Sequence, residues 1–414
     1  MKELIRENLE NPEVLEKLYR EDSENFTNEF NLVYPEISDN LVARAWYERL
    51  NYFSAASTGS QRKELMLVIL GSVIAAFIAK LPEIISVDPE FFYTRNIGFI
   101  VFPVLTAYFT WKNNLTASSK IFFVAVTLAC ALFINLAFAE ANSQTLILSC
   151  IHIPLLLWTI LGIAYSGGVN TGKDRRISFL RYNGDLVVMT TVILLAGAIF
   201  ALVSLRLFML IDWDVSKFYT EYLIICGLAA LPNVANYVLQ NNNQVVSKVS
   251  PVIARIFSPI VLVTVFIYLL AMISKGKDPF MDRDFLIVFN LLLIGVMAII
   301  LFSVAEASRT SKGKSEKAIL FMLSLVTVAV NCIALSAILF RINEWGITPN
   351  RAAVLGGNVL FLANLVFITF HLWKSLKKGA GIETVSISIA RFLPVYSLWA
   401  VIVAFIFPII FGFK

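Results

Sequence analysis

From residue 64 onward the chain is written in long apolar runs separated by short polar segments. A hydrocarbon core about 30 Å thick needs roughly 20 helical residues to cross it, so runs of that length read as membrane spans. About eleven are predicted, at 64–84, 97–112, 120–139, 145–166, 186–209, 220–239, 257–274, 285–305, 317–341, 352–373 and 386–411. They are continuously apolar and do not alternate in stretches of about ten, which predicts helices and not the strands of an outer-membrane barrel. The predicted fold is all-α, a polytopic transmembrane helical bundle.

Residues 1–60 follow a different pattern. In NPEVLEKLYR, Asn11 stands where a helix cap belongs, Pro12 falls in the first turn, and Val14, Leu15, Leu18 and Tyr19 share a face. Phe26, Phe30 and Val33 repeat the helical spacing before Pro35, and Leu41, Ala45, Trp46 and Leu50 form a third stripe. A small helical head, 1–60, is expected ahead of a bundle at 61–414. The head carries 12 acidic and 6 basic residues, whereas the rest of the chain is basic. Attraction to basic loops would hold it against the bundle as a folded cap, and the sharper expectation is a protein partner docking through residues 11–50.

Composition agrees with the pattern. A mean hydropathy of +0.76 with 58% hydrophobic and 15% charged residues excludes an ordinary soluble domain. The first apolar run begins beyond residue 60 behind an acidic stretch, so it reads as a retained anchor and not as a cleaved leader. With the N-terminus cytoplasmic, inner segments hold about twice the Lys and Arg of outer ones, which predicts an extracytoplasmic C-terminus. Membrane lipids are the expected partners and nucleic acid is not. The sequence leaves oligomeric state open.

The candidate chemistry is sparse. Cys130, Cys150, Cys226 and Cys332 lie inside apolar runs without close spacing and read as small buried hydrophobes, and two histidines, His152 and His371, do not suggest a metal site. His152, beside Pro154, reads as a packing residue. GGVNTGKD, from Gly167 to Asp174, resembles a phosphate-binding loop, but Asp174 replaces the hydroxyl residue that holds magnesium and a membrane span precedes it. No cofactor is expected. Lys173, Arg175, Arg176 and Arg181 read instead as a loop facing anionic headgroups.

Charges near spans are costly and mark candidate sites. Arg391 sits inside the last run near Pro394, Glu140 and Glu306 stand at run ends, and Arg206 has Asp212 and Asp214 for partners. In LPNVANYVLQNNNQ, Asn233 and Asn236 follow Pro232, which reads as an ordinary kink whose amides tie to neighbouring helices, with a broken helix lining a site as the sharper alternative. In FRINEWGITPNRAA, Arg341 and Glu344 have the spacing of a helical pair, Gly346 can end the helix, Thr348 can cap the next one, Pro349 suits its first turn, and Arg351 follows. The free N–H groups of that turn, with Arg341 and Arg351, would make an anion site, and the alternative is a well-capped tight loop with interfacial charges.

RINEWGITPNR between two spans, together with NPEVLEKLYREDSENFTNEFNLVYPE, resembles the bacterial multi-pass membrane proteins of domain-of-unknown-function family 4153. The resemblance implies a bacterial inner-membrane protein and carries over no ligand or reaction. The expected function is the handling or transport of a small solute, ion or lipid headgroup, with Arg341, Glu344, Arg351, Asn233, Asn236 and Arg391 as candidate binding residues. The alternatives are an envelope scaffold or signalling component working through the head, and a membrane enzyme on lipid-linked substrates. The lack of clustered acids, bases and metal ligands disfavours the enzyme.

Overall fold

A computed structural model describes the chain apart from residues 52–53, 139–142, 170, 210–214, 242–257, 260, 264, 268–269, 271–282, 308–313 and 379–382, and leaves some further side chains undescribed, among them those of 54–60, 206–209 and 283–289. The described residues are helical, with no strand among them. They divide into two compact units, Met1–Ile69 and Leu70–Lys414.

The N-terminal unit contains α1 (Lys2–Glu7), α2 (Pro12–Glu21), α3 (Ser23–Ile37) and α4 (Leu41–Asn51). Asn11 occupies the cap position of α2 but its side chain makes no capping bond, and α3 runs through Pro35 to Ile37 instead of ending before it. Pro35 stands two residues before the helix end, so it interrupts only the last turn. Ile5, Leu15, Phe26, Phe30, Ala43 and Trp46 form the core, and the Trp46 ring lies 5.2 Å from Phe26 and 5.6 Å from Tyr19. Arg49 covers that core, its guanidinium 4.4 Å from the Trp46 ring and 2.8 Å from the Glu16 carboxylate.

The Arg49 and Arg20 hydrogen bonds hold the Glu16 carboxyl below its ordinary value. A depressed folded-state value gives stability that is present above the unfolded value and lost as pH falls through the folded one. Proteolytic susceptibility of residues 1–50 is therefore expected to rise only in acid, below about pH 4, and Glu16→Gln should flatten that rise. Identical acid profiles for the two proteins would show that the Glu16 contact has no such role.

The second unit is a stack of long helices: α5 (Ser54–Ile84, which begins in the first unit), α6 (Pro89–Lys112), α7 (Ala117–Leu136), α8 (Gln144–Ser166), α9 (Lys173–Met209), α10 (Ile225–Asn241), α11 (Arg283–Ala307), α12 (Lys314–Trp345), α13 (Pro349–Lys378) and α14 (Glu383–Val401). Their ends are chemically marked. Asp88, Thr116 and Ser143 accept from the first-turn N–H groups of α6, α7 and α8. Gly167 closes α8 in the left-handed region at φ 89°.

Among the described residues, eight helices are long and apolar enough to cross a membrane: Gln61–Ile84, Ala117–Leu136, Gln144–Ser166, Lys173–Leu202, Ser216–Asn241, Ser315–Trp345, Pro349–Lys377 and Thr384–Ile410. This is fewer than the eleven runs for identifiable reasons. The 97–112 run belongs to α6, which carries Glu90, Arg95 and Lys112 and buries Arg95 and Asn96. The 285–305 run yields a shorter apolar stretch, Asn290–Ala305. Half of the 257–274 run falls outside the described residues, as do Glu140, Asp212 and Asp214 and the side chains of Arg206 and Glu306.

The largest core joins α9, α11, α12, α13 and α14 through residues such as Met297, Ile300, Leu323, Leu365 and Ile389. Outside that core a glycine sets a close approach: a Cβ on Gly356 of α13 would collide with the Trp399 ring of α14, which packs against a smaller cluster of Leu148, Ala353, Val403 and Phe407. Gly356→Ala is expected to destabilise the protein by about 1–3 kcal/mol, the usual cost of overpacking, read as a lower melting temperature. An unchanged melting temperature would mean that Trp399 is free to swing away.

Irregular turns find partners on other helices. A π-turn, Tyr219–Ile224, precedes α10, and Lys80 donates to its Glu221 carbonyl at 2.7 Å. A second, Ile402–Ile406, presents the Ala404 carbonyl to Ser149 Oγ at 2.7 Å. Pro394 has no N–H for the Ala390 carbonyl one turn back, and Arg176 approaches that oxygen at 3.4 Å. Arg181 donates to the Ala305 carbonyl, in the last turn of α11, at 2.9 Å. Two arginines expected to face headgroups thus also serve helix backbones.

Candidate functional site

The turn between α12 and α13 is built as its residues dictate. Gly346 leaves α12 with φ 74°, Thr348 Oγ1 accepts from the Arg351 N–H at 3.3 Å, and Pro349 opens α13. The Arg351 side chain folds back and donates to the carbonyls of Trp345 and Gly346 at 2.9 and 2.7 Å. A cation at these otherwise free acceptors satisfies hydrogen bonds and complements the negative end of α12. The Trp345 ring approaches two guanidiniums, 5.5 Å from Arg341 and 5.7 Å from Arg351.

The predicted pairing of Arg341 with Glu344 does not form. Arg341 is only 8% exposed and faces inward, with Trp345 one turn further along its face, while Glu344 is exposed at the surface. An exposed carboxylate gains little from such a pair, about 0–1 kcal/mol, and keeps its hydration instead.

Arg341 and Arg351 line a cleft of about 480 Å³ between α11, α12 and α13, with Gln144, Asn290, Thr348 and Asn350 as its other polar groups. Leu291, Ile294, Ile338 and Val354 form its apolar walls. Asn290 Oδ1 accepts from Asn358 Nδ2 at 2.9 Å, so the cleft's polar lining continues into the helix packing. The arrangement provides cations, amides and an apolar surface together, the set that holds an anionic or polar group carried on an apolar body.

The remaining candidates lie elsewhere. Asn233 donates to Ser72 Oγ at 3.0 Å and Asn236 accepts from the Tyr182 hydroxyl at 3.0 Å, so these amides tie α10 to α5 and α9. The broken-helix alternative at Pro232 does not hold, because α10 continues through it with its amides tied to neighbouring helices, and the irregularity sits upstream at Tyr219–Ile224. Arg391 is exposed and lines a separate cleft of about 370 Å³ with His371, Thr384 and Ser388. His152 Nδ1 donates to the Leu148 carbonyl at 2.8 Å. Cys130 is buried, but Cys332 is exposed on its helix, contrary to the expectation that all four cysteines are buried.

Sequence reading missed the buried amides of the large core. Asn331 and Asn364 are 0% exposed and Asn358 is 3% exposed. A signal was present: Ser324, Thr327, Asn331 and Arg341 recur at helical spacing on one face of an apparently featureless apolar run.

Comparison with protein-family models, with curated proteins and with solved structures finds no match. Fold and geometry define a class, a polytopic helical membrane protein with a cationic, amide-lined cleft.

Proposed function

We propose that this protein binds the anionic headgroup of a membrane amphiphile, or a small anionic solute, in the cleft between α11, α12 and α13. The observation that carries the reading is Arg341, a nearly buried cation on a cleft wall shared with Leu291, Ile294, Ile338 and Val354. Burial strengthens its attraction for an anion, and the apolar wall accommodates an acyl chain that a free ion lacks. Arg351 frames the mouth while holding the turn.

The reading includes a bacterial inner membrane, a cytoplasmic N-terminus and kinship with domain-of-unknown-function family 4153. The basic bias of the segments on the N-terminal side and the RINEWGITPNR loop support these assignments. Handling or transport of the bound group is the function that suits a bundle of this kind.

The test is thermal stabilisation of the purified protein by phosphatidylglycerol and phosphatidylcholine with matched chains. The anionic lipid is expected to raise the melting temperature more, by the equivalent of about 2.7 kcal/mol at a hundredfold excess over Kd. Arg341→Gln should erase the difference. Inorganic phosphate or acetate stabilising as well as phosphatidylglycerol would identify a soluble anion as the ligand. Equal shifts from both lipids and none from the free anions would reject the reading.

A further inference from the structure

The buried face of α12 is unusually polar for a helix packed in an apolar core. Ser324, Thr327, Asn331 and Arg341 are each less than 9% exposed, separated along the same face by the small residues Ala334 and Ala337. Thr369 donates to Ser324 at 3.1 Å, which fixes the register of antiparallel α12 and α13. At about 1.5 Å per residue from that bond, Asn331 and Asn364 differ in height by about 3 Å, and Asn358 lies about 6 Å nearer the turn than Asn331. The Asn290–Asn358 bond thus lies between the Arg341 cleft and the layer of Asn331 and Asn364.

Neither amide atom of Asn331 has a hydrogen-bond partner among the described residues, and Asn364 Oδ1 also has none. Asn364 Nδ2 donates to the Tyr396 hydroxyl at 2.7 Å, which aims that amide within the helix packing. A buried amide without a partner is destabilising, so two in one layer are poorly explained by packing. They are well explained by a ligand that supplies the bonds.

We propose that Asn331 and Asn364 form a binding site for a small polar solute bearing both hydrogen-bond donors and acceptors, entered from the Arg341 cleft along the buried face of α12. Asn331 can donate through Nδ2 and accept through Oδ1, while Asn364 Oδ1 can accept only. The solute must therefore donate at least twice and accept at least once. A hydroxylated or amide-bearing molecule fits this pattern, whereas a bare anion offers acceptors alone. The cleft is its entrance, but the site does not depend on an anionic headgroup occupying that cleft.

The test uses the full chain in liposomes with Cys130, Cys150, Cys226 and Cys332 replaced by Ala. Single cysteines are then placed at Ala334 and Thr327 on the buried face, at Ile338 on the cleft wall and at Leu325 on the exposed apolar face. The reagent is the membrane-impermeant 2-sulfonatoethyl methanethiosulfonate. Because the thiolate is the reactive form, Ile338→Cys, Ala334→Cys and Thr327→Cys are expected to label at least about tenfold faster than Leu325→Cys. Acetamide, a neutral donor and acceptor, should slow labelling at Ala334→Cys and Thr327→Cys while sparing Ile338→Cys. Asn331→Leu should abolish that protection. Labelling at both buried positions no faster than at Leu325→Cys would overturn the proposal, since the face would be dry. Fast labelling that acetamide leaves unchanged would equally overturn the solute site and leave only water in the path. Neither result bears on the lipid preference of Arg341, which is measured separately.

Discussion

Asn331→Leu is expected to raise the melting temperature while removing the protein's protection by acetamide and its activity in cells. Leu is close to Asn in shape, and the neighbouring buried residues, among them Leu323, Val330 and Leu365, are apolar. The substitution removes two amide atoms that lack protein partners. Leaving such a group unsatisfied costs about 1–3 kcal/mol, so the variant should gain a similar amount in the ligand-free state. A structural asparagine would behave in the opposite way, because its removal would strand whatever it bonded. Calorimetry in detergent separates the two outcomes. A melting temperature lowered by the substitution would assign Asn331 to the scaffold. A gain in stability joined to a loss of function would mark it as a residue retained for binding at the expense of stability.

Much of the helical architecture was legible because it rests on local rules. Apolar runs of span length became helices, and Gly346, Thr348 and Pro349 shaped their turn as their backbone preferences require. Two kinds of feature were not legible. Pro232 allowed a kink or a break, since a proline within a packed helix bends or passes according to what its neighbours supply, and here α10 continues. The π-turns at Tyr219–Ile224 and Ile402–Ile406 depend on Lys80 and Ser149, residues distant in the chain. The Arg341–Glu344 spacing gave proximity without orientation, because helical spacing does not say which neighbour lies on the buried side. Asn331 was hidden for a related reason. A single amide barely lowers the apolarity of a run, and only packing reveals that its bonding capacity is unmet.

The three charges of the α12–α13 turn are expected to separate into three phenotypes. Arg351→Gln loses the guanidinium that bonds both Trp345 and Gly346 carbonyls, and a hydrogen bond to a charged group contributes about 1.5–3 kcal/mol. The expected loss is on the order of 3 kcal/mol, since some of the exposed carbonyl surface is recovered by water. Abundance and activity should fall together. Arg341→Gln also gives up its approach to Trp345, worth about 0.5–1 kcal/mol, but its main effect should be loss of the preference for anionic lipid. Activity should then fall much further than abundance. Glu344 faces water and is not paired with Arg341, so Glu344→Gln should remain within about 0.5 kcal/mol of the parent and retain activity. Exchanging the charges, Arg341→Glu with Glu344→Arg, should fail to rescue function, because the exchange puts a carboxylate on the cleft wall and a cation where nothing uses it. Rescue of both abundance and activity by the exchange would show that the two residues act as a pair and would remove Arg341 from the binding site.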